Sequence, residues 1–136
     1  MIRILIADDH AVIRAGVRAI LTSRADIEVD EAVDGAEAVA KALRFKPDLV
    51  ILDLTMPVMG GYAAAVELRR LAPEIPVLFF SIHEGTQLIR DAKEVGARGF
   101  LKKSDAAYAL LDAVDELVTY KGTYFPESTE SQVFTR

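Results

Sequence analysis

"VILDLTMPVMGG", residues 50–61, begins as an uninterrupted apolar run and then sets a carboxylate, Asp53, where the run ends, followed by a proline and two glycines. A short continuous apolar run closed by turn residues is the pattern of a strand covered on both faces. A charge at its end makes sense where a strand finishes at the mouth of a site. Working outward, "IRILIA" (2–7), "DLVILD" (48–53) and "PVLFFS" (76–81) are nearly unbroken apolar runs, which predicts three central strands. "IEVDEAV" (27–33) alternates instead, with Ile27, Val29 and Val33 on one face and Glu28 and Asp30 on the other, so it suits an edge. "RGFLKK" (98–103) supplies a fifth strand.

Between these runs the period changes to that of a helix. Val12/Ile13, Gly16/Val17 and Ile20/Leu21 form one apolar stripe, Leu88/Ile89, Ala92 and Val95 another, and Leu110/Leu111, Val114 and Leu117/Val118 a third. "DGAEAVAKALRF" (34–45) and "GYAAAVELRRLA" (61–72) add two alanine-rich helices able to lie close to a sheet. Ser104 is the expected N-cap of the last helix, and Gly96 and Gly122 stand where helices should stop. Five strands alternating with five helices through short loops specify an α/β domain with a parallel sheet.

The chain of 136 residues is one domain in size, long enough to bury a core without staples. It has no cysteine, which excludes disulfides, thiolate metal sites and cysteine nucleophiles and suits a reducing cytoplasm. No apolar stretch is long enough to span a bilayer, and Asp8 and Asp9 cut short the apolar start of the chain, so a cytoplasmic protein without membrane association is expected. Sixteen basic and 21 acidic side chains leave a net charge of -5, which opposes close approach to a nucleic acid backbone. After Gly122 the period is lost in "TYFPESTESQVFTR", so residues 122–136 are expected to be a linker or tail.

Four strands end on polar residues: Asp8-Asp9, Asp53, Ser81 and Lys102-Lys103. Right-handed crossovers place all these ends along one edge of the sheet, where the ligand crevice of an open parallel sheet lies. Crowded carboxylates repel, so one of them should hold its proton unusually tightly. A hard divalent cation relieves the conflict. Magnesium is expected, with Asp9 and Asp53 as carboxylate ligands, whereas zinc lacks the histidine or cysteine cluster it prefers. Ser81 and Lys103 would complete a site for a phosphoryl group, and a free carboxylate there would become an acyl phosphate. Taken singly, each residue is ordinary. Asp8 or Asp9 is a helix N-cap, Asp53 a turn residue, Ser81 a strand-end hydroxyl, and Lys102 and Lys103 solvated charges. His10 and His83 read as exposed and idle, and Met56 and Met59 as loop packing. The functional reading rests on their falling together at strand ends.

The acidic pair after the first strand, "LDLTMPVMGG" after the third, "FFSIHE" after the fourth and "GARGFLKKS" around the fifth together resemble the receiver domain of bacterial two-component response regulators, over residues 2 to about 121. The resemblance implies a flavodoxin-like fold with strand order 2-1-3-4-5, an order the general rule for doubly wound sheets already illustrates with a member of this family. It implies that Asp53 accepts a phosphoryl group from a sensor histidine kinase. It also implies that Asp9 binds magnesium directly, Asp8 through water, and Thr55 through its carbonyl oxygen. Lys103, three residues after Phe100, matches the phosphoryl's charge partner, Ser81 the switch hydroxyl and Phe100 the switch aromatic.

Two positions depart from the family's common pattern: Ile82 stands where a small residue often follows the hydroxyl, and Ser104 where proline often follows the lysine. Lys-Ser and the linker "YKGTYFPES" resemble the NarL/FixJ (LuxR-type) subgroup, which implies a helix-turn-helix DNA-binding output domain beyond this chain. The expected function is thus a phosphorylation-controlled switch rather than an enzyme. It would act on transcription through the face of the fourth helix, fifth strand and fifth helix, with a phosphorylation-dependent homodimer. Two alternatives stand beside it: a pseudo-receiver that binds a partner without phosphoryl chemistry, and an aspartyl-phosphate hydrolase. The hydrolase would want an aspartate where this chain has Thr55.

Overall fold

The computed structural model describes residues 1–126. Five strands, β1 (Ile2–Ala7), β2 (Ile27–Ala32), β3 (Leu49–Asp53), β4 (Val77–Ser81) and β5 (Gly99–Lys102), form one sheet in the order β2-β1-β3-β4-β5. Every neighbouring pair is parallel. Five helices alternate with them: α1 (Ala11–Thr22), α2 (Gly35–Phe45), α3 (Gly61–Leu71), α4 (Thr86–Glu94) and α5 (Ala106–Val114). This is the expected flavodoxin-like receiver fold, with the alternating segment β2 at an edge. No helix among the described residues is long and apolar enough to cross a membrane.

The pleat divides the strands' side chains between two cores. Ile4, Ile6, Leu49, Ile51, Leu78, Phe80 and Leu101 face α1 and α5, where Val17, Leu21, Leu110 and Val114 meet them. Leu5, Val50, Leu52, Phe79 and Phe100 face α2, α3 and α4. On that side the helices present Ala38, Ala42, Ala64, Ala65 and Ala92, all buried, so that short side chains let the helices lie close to the sheet. Continuous apolar strands are the sequence's record of this two-sided burial.

Helix ends follow local chemistry, with two departures from expectation. Ser104 does not cap α5. It lies inside a single 3₁₀ turn, Lys103–Asp105, and the cap position belongs to Asp105, whose carboxylate accepts from the Tyr108 hydroxyl at 2.6 Å. Neither Asp8 nor Asp9 caps α1, because His10 occupies that position without a side-chain bond. The reciprocal cap the fold does use is at α2: Asp34 Oδ1 accepts from the Glu37 amide at 2.8 Å, and Glu37 Oε1 accepts from the Val33 amide at 3.1 Å. Gly96 (φ 85) ends α4 as expected. At the far end α5 widens into a π turn, Asp115–Thr119. The left-handed residue after it is Lys121 (φ 54), and the Gly122 amide donates to Glu116 O at 2.8 Å.

Beyond that turn the chain comes back to the sheet. The Tyr124 amide donates to Arg98 O at 2.9 Å and the Phe100 amide to Tyr124 O at 2.8 Å, a parallel bridge on the outer edge of β5. Phe125 packs into the α2–α4 side of the core beneath the Lys93 ammonium, 4.8 Å from its ring centroid. Gly99 leaves room for this return: a Cβ there would stand 2.9 Å from Tyr124 O and 2.7 Å from Leu78 Cδ1. Of the expected linker, residues 127–136 lie outside the described residues.

Candidate functional site

The parallel topology places the carboxyl ends of β1, β3, β4 and β5 side by side. Ala7 pairs with Leu52 in the β1–β3 register, so Asp8 and Asp53 follow on adjacent strands. β1, β3 and β4 then turn in the same way. The Asp8 carboxylate accepts from the His10 amide at 2.9 Å, the Asp53 carboxylate from the Thr55 amide at 3.4 Å, and the Ser81 hydroxyl oxygen from the His83 amide at 3.0 Å. An oxygen that accepts from the amide two residues on is held against the backbone, so the turn also fixes the functional atom. Asp8, Asp53 and Ser81 are the buried polar residues among those described.

The loop after β3 is tightly built. Gly61 packs against the end of β3 so closely that a Cβ would stand 2.3 Å from Asp53 O, and its amide donates to Leu54 O at 3.0 Å. Between them, Val58 takes φ 67 in a three-residue turn closed by the Met59 amide on Pro57 O at 2.7 Å. A β-branched residue in the left-handed region is strained, and here the strain lies five residues from Asp53. Met56 is buried, as the loop-packing reading expects.

Lys103 reaches Asp53 from two strands away and Asp8 from three. Its ammonium passes over the Phe80 ring, 5.6 Å from the centroid, to lie 2.7 Å from Asp8 Oδ2 and 3.4 Å from Asp53 Oδ1. Lys102 points elsewhere, to Glu84 at 3.5 Å. Ligand atoms of Asp8, Asp9, His10 and Asp53 all lie within 4.8 Å of one another. The structure therefore gathers Asp8, Asp9, Asp53 and Lys103. Thr55 stands exposed beside them. Ser81 closes its own turn at the end of β4 and makes no hydrogen bond to the acids, and Phe100 is fully buried in β5. Ile82, beside Ser81, is exposed.

His10 corrects the sequence reading. Its side chain is 67% exposed, yet Nδ1 lies 3.3 Å from Asp8 Oδ1 and 3.2 Å from Asp9 Oδ1, so it is engaged rather than idle. The only sequence signal was its position, immediately after the acidic pair.

The expected excess proton affinity falls on Asp53. Burial pushes its carboxyl above the usual range and the neighbouring Asp8 adds to this, against the pull of Lys103 and the Thr55 amide. Three carboxylates facing one ammonium leave two negative charges uncompensated, which is the charge of one divalent cation. Three converging carboxylates suit a hard divalent cation, with Asp8, Asp9 and Asp53 as the residues that would hold it and His10 in the same cluster.

Residues 4–115 match the family model described as the response regulator receiver domain. The chain is 33% identical over 127 residues to the response regulator protein VraR of Staphylococcus aureus, covering 93% of this chain and 61% of that protein. It thus spans about three fifths of the length of that curated relative. Among solved structures it is similar to a LuxR-family two-component response regulator from Aurantimonas sp. SI85-9A1, at 30% identity and TM-score 0.86, covering 98% of both chains. It is also similar to a chain of the CheX-CheY-BeF3-Mg complex from Borrelia burgdorferi, at 30% identity and TM-score 0.78, covering 86% of this chain and 90% of that one. With the five-stranded fold and the acid cluster at its carboxyl edge, these likenesses show that the chain belongs to the response regulator receiver domain family and is homologous to the NarL/LuxR-type regulators.

Proposed function

We propose that Asp53 is the phosphoacceptor of a signalling switch, charged from a phosphohistidine of a sensor histidine kinase. One observation carries the reading: a single ammonium, Lys103, lies between two buried carboxylates from adjacent strands, at 2.7 Å and 3.4 Å. In the reaction a carboxylate oxygen of Asp53 attacks phosphorus as the P–N bond to the kinase imidazole breaks. The bonding pair leaves with the imidazole, and an acyl phosphate remains on Asp53. Lys103 holds Asp53 ionised against its raised proton affinity and then faces the phosphoryl oxygens. Asp8 keeps Lys103 aimed into the site. Asp8, Asp9, Asp53 and the Thr55 carbonyl would hold magnesium, which would supply further neutralisation of phosphoryl charge.

The output runs through Ser81 and Phe100. The Ser81 hydroxyl, released from the His83 amide, donates to a phosphoryl oxygen, and the change at β4 is read by Phe100 and by the face of α4, β5 and α5. That is a two-state element biased by new charge-assisted hydrogen bonds. The homology to NarL/LuxR-type regulators, and the 61% of VraR that this chain spans, support a homodimer formed on phosphorylation and a DNA-binding output module outside residues 1–121.

Incubation with a small-molecule phosphodonor and Mg2+, followed by intact-mass measurement, should add one phosphate to the wild-type chain and none to Asp53→Asn. Equal labelling of the variant would reject Asp53 as the acceptor. An unlabelled wild type would favour a pseudo-receiver.

A further inference from the structure

We infer that His10 is a nitrogen ligand of the cation site, and that it makes this receiver discriminate among divalent cations, favouring manganese and cobalt over magnesium more than a site of oxygens alone would. The inference rests on the metal site proposed above and concerns its selectivity.

Geometry carries it. Ligands about 2.1 Å from a six-coordinate ion lie about 3.0 Å apart when adjacent and about 4.2 Å when opposite. His10 Nδ1 is 3.3 Å from Asp8 Oδ1 and 3.2 Å from Asp9 Oδ1, close to two such adjacent edges. Ligand atoms of all four residues lie within 4.8 Å of one another, so Asp53 belongs to the same set. The ring is placed by the backbone: His10 is the N-cap residue of α1, and its amide donates to the Asp8 carboxylate at 2.9 Å. Without an ion, Nδ1–H donates to the carboxylates; an ion seated among them would take the Nδ1 lone pair, and because the side chain is 67% exposed the ring hydrogen can then sit on Nε2 in solvent.

Chemistry then sets the direction of the preference. Magnesium prefers oxygen and keeps its waters, so an imidazole adds little to its binding. First-row transition ions gain from imidazole coordination. Asp8 Oδ2 remains with Lys103 at 2.7 Å, so ligation by Oδ1 and Nδ1 does not require that pair to break.

The test uses the whole 136-residue chain, wild type and His10→Ala, with Mn2+ alone as the probe. Pulsed electron paramagnetic resonance should show modulation from a directly bound ¹⁴N nucleus in the wild type and none in the variant. Calorimetric titration with Mn2+ and Mg2+ should show the Mn2+ preference falling on the order of tenfold in His10→Ala, with Mg2+ affinity nearly unchanged. Bound manganese without nitrogen modulation, or the same ion preference in both proteins, would overturn the role of His10 while leaving the acid site intact. Failure of the wild type to bind either ion would overturn the site as well.

Discussion

Val58 and Asp53 show what a single residue contributes to this fold. Val58 is 86% exposed and holds φ 67, so its side chain gains little from packing while its backbone is strained. Relief of left-handed strain is worth about 1–2 kcal/mol, set against glycine's entropy of about 0.5–1 kcal/mol. Val58→Gly should therefore raise stability by about 1 kcal/mol, read as a higher urea midpoint with unchanged slope. Asp53 acts through its charge. Burial and Asp8 raise its proton affinity in the folded state, so the fold binds this proton more tightly than the unfolded chain does. That contribution is complete below the ordinary aspartate range and is lost as pH rises through the raised folded value. In metal-free buffer Asp53→Asn should thus melt above the wild type at neutral pH, and the gap should close on acidification. A wild-type Tm at or above that of the variant at neutral pH would contradict it. Of these residue-level features the sequence displayed the acids and Lys103 but not Val58's backbone, because left-handed geometry is imposed by closure of the loop around Gly61 and Met59. His10 was misread for a similar reason: its amide had to bond Asp8 before its ring could reach the acids.

At the scale of elements, α1 is tied to the sheet by a charge cluster as well as by its apolar stripe. Arg14 and Arg18 hold the two oxygens of Glu31 at 2.9 Å and 2.6 Å, and Arg14 also donates to Asp8 O at 2.7 Å. Partial burial alone would raise the Glu31 carboxyl, but the two guanidiniums outweigh it and hold it below the usual range. The sign is therefore opposite to that of Asp53: the contribution is present above the ordinary glutamate range and disappears as pH falls through the depressed folded value. Glu31→Gln should cost about 1 kcal/mol at neutral pH once solvent screening is allowed for, and should lose less stability than the wild type when pH is lowered from neutral to below the ordinary glutamate range. Chemical denaturation at the two pH values checks both. Element order, strand burial and the alanine faces of α2 and α3 were legible, since each is a local period with one structural solution. The cap of α2 was legible too, in "DGAE" (34–37), and went unread. The cap of α5 was not, because the chain spends Lys103–Asp105 on a 3₁₀ turn before the helix starts.

At the scale of the whole molecule, one end of the sheet is acidic. Two uncompensated negative charges sit where β1 and β3 finish, and a cation that binds only the folded chain stabilises it by mass action, about 2.7 kcal/mol at a hundredfold excess over its dissociation constant. Magnesium should accordingly raise the wild-type Tm by several degrees, and Asp9→Ala should remove most of that shift while leaving the metal-free Tm little changed. A magnesium response that survives in the variant would place the ion elsewhere. Convergence of the acids was legible from topology, as parallel strands can only end together. The return of the chain at Tyr124 was not, because two backbone hydrogen bonds on the edge of β5 leave no periodic signature. That return would set the reach of the output module proposed above. Counted from the end of the helical turns, a tether would begin near Lys121. With the chain clasped to β5 through Tyr124, residues 122–126 could not serve as tether, and five residues at about 3.4 Å each would shorten the leash by about 17 Å.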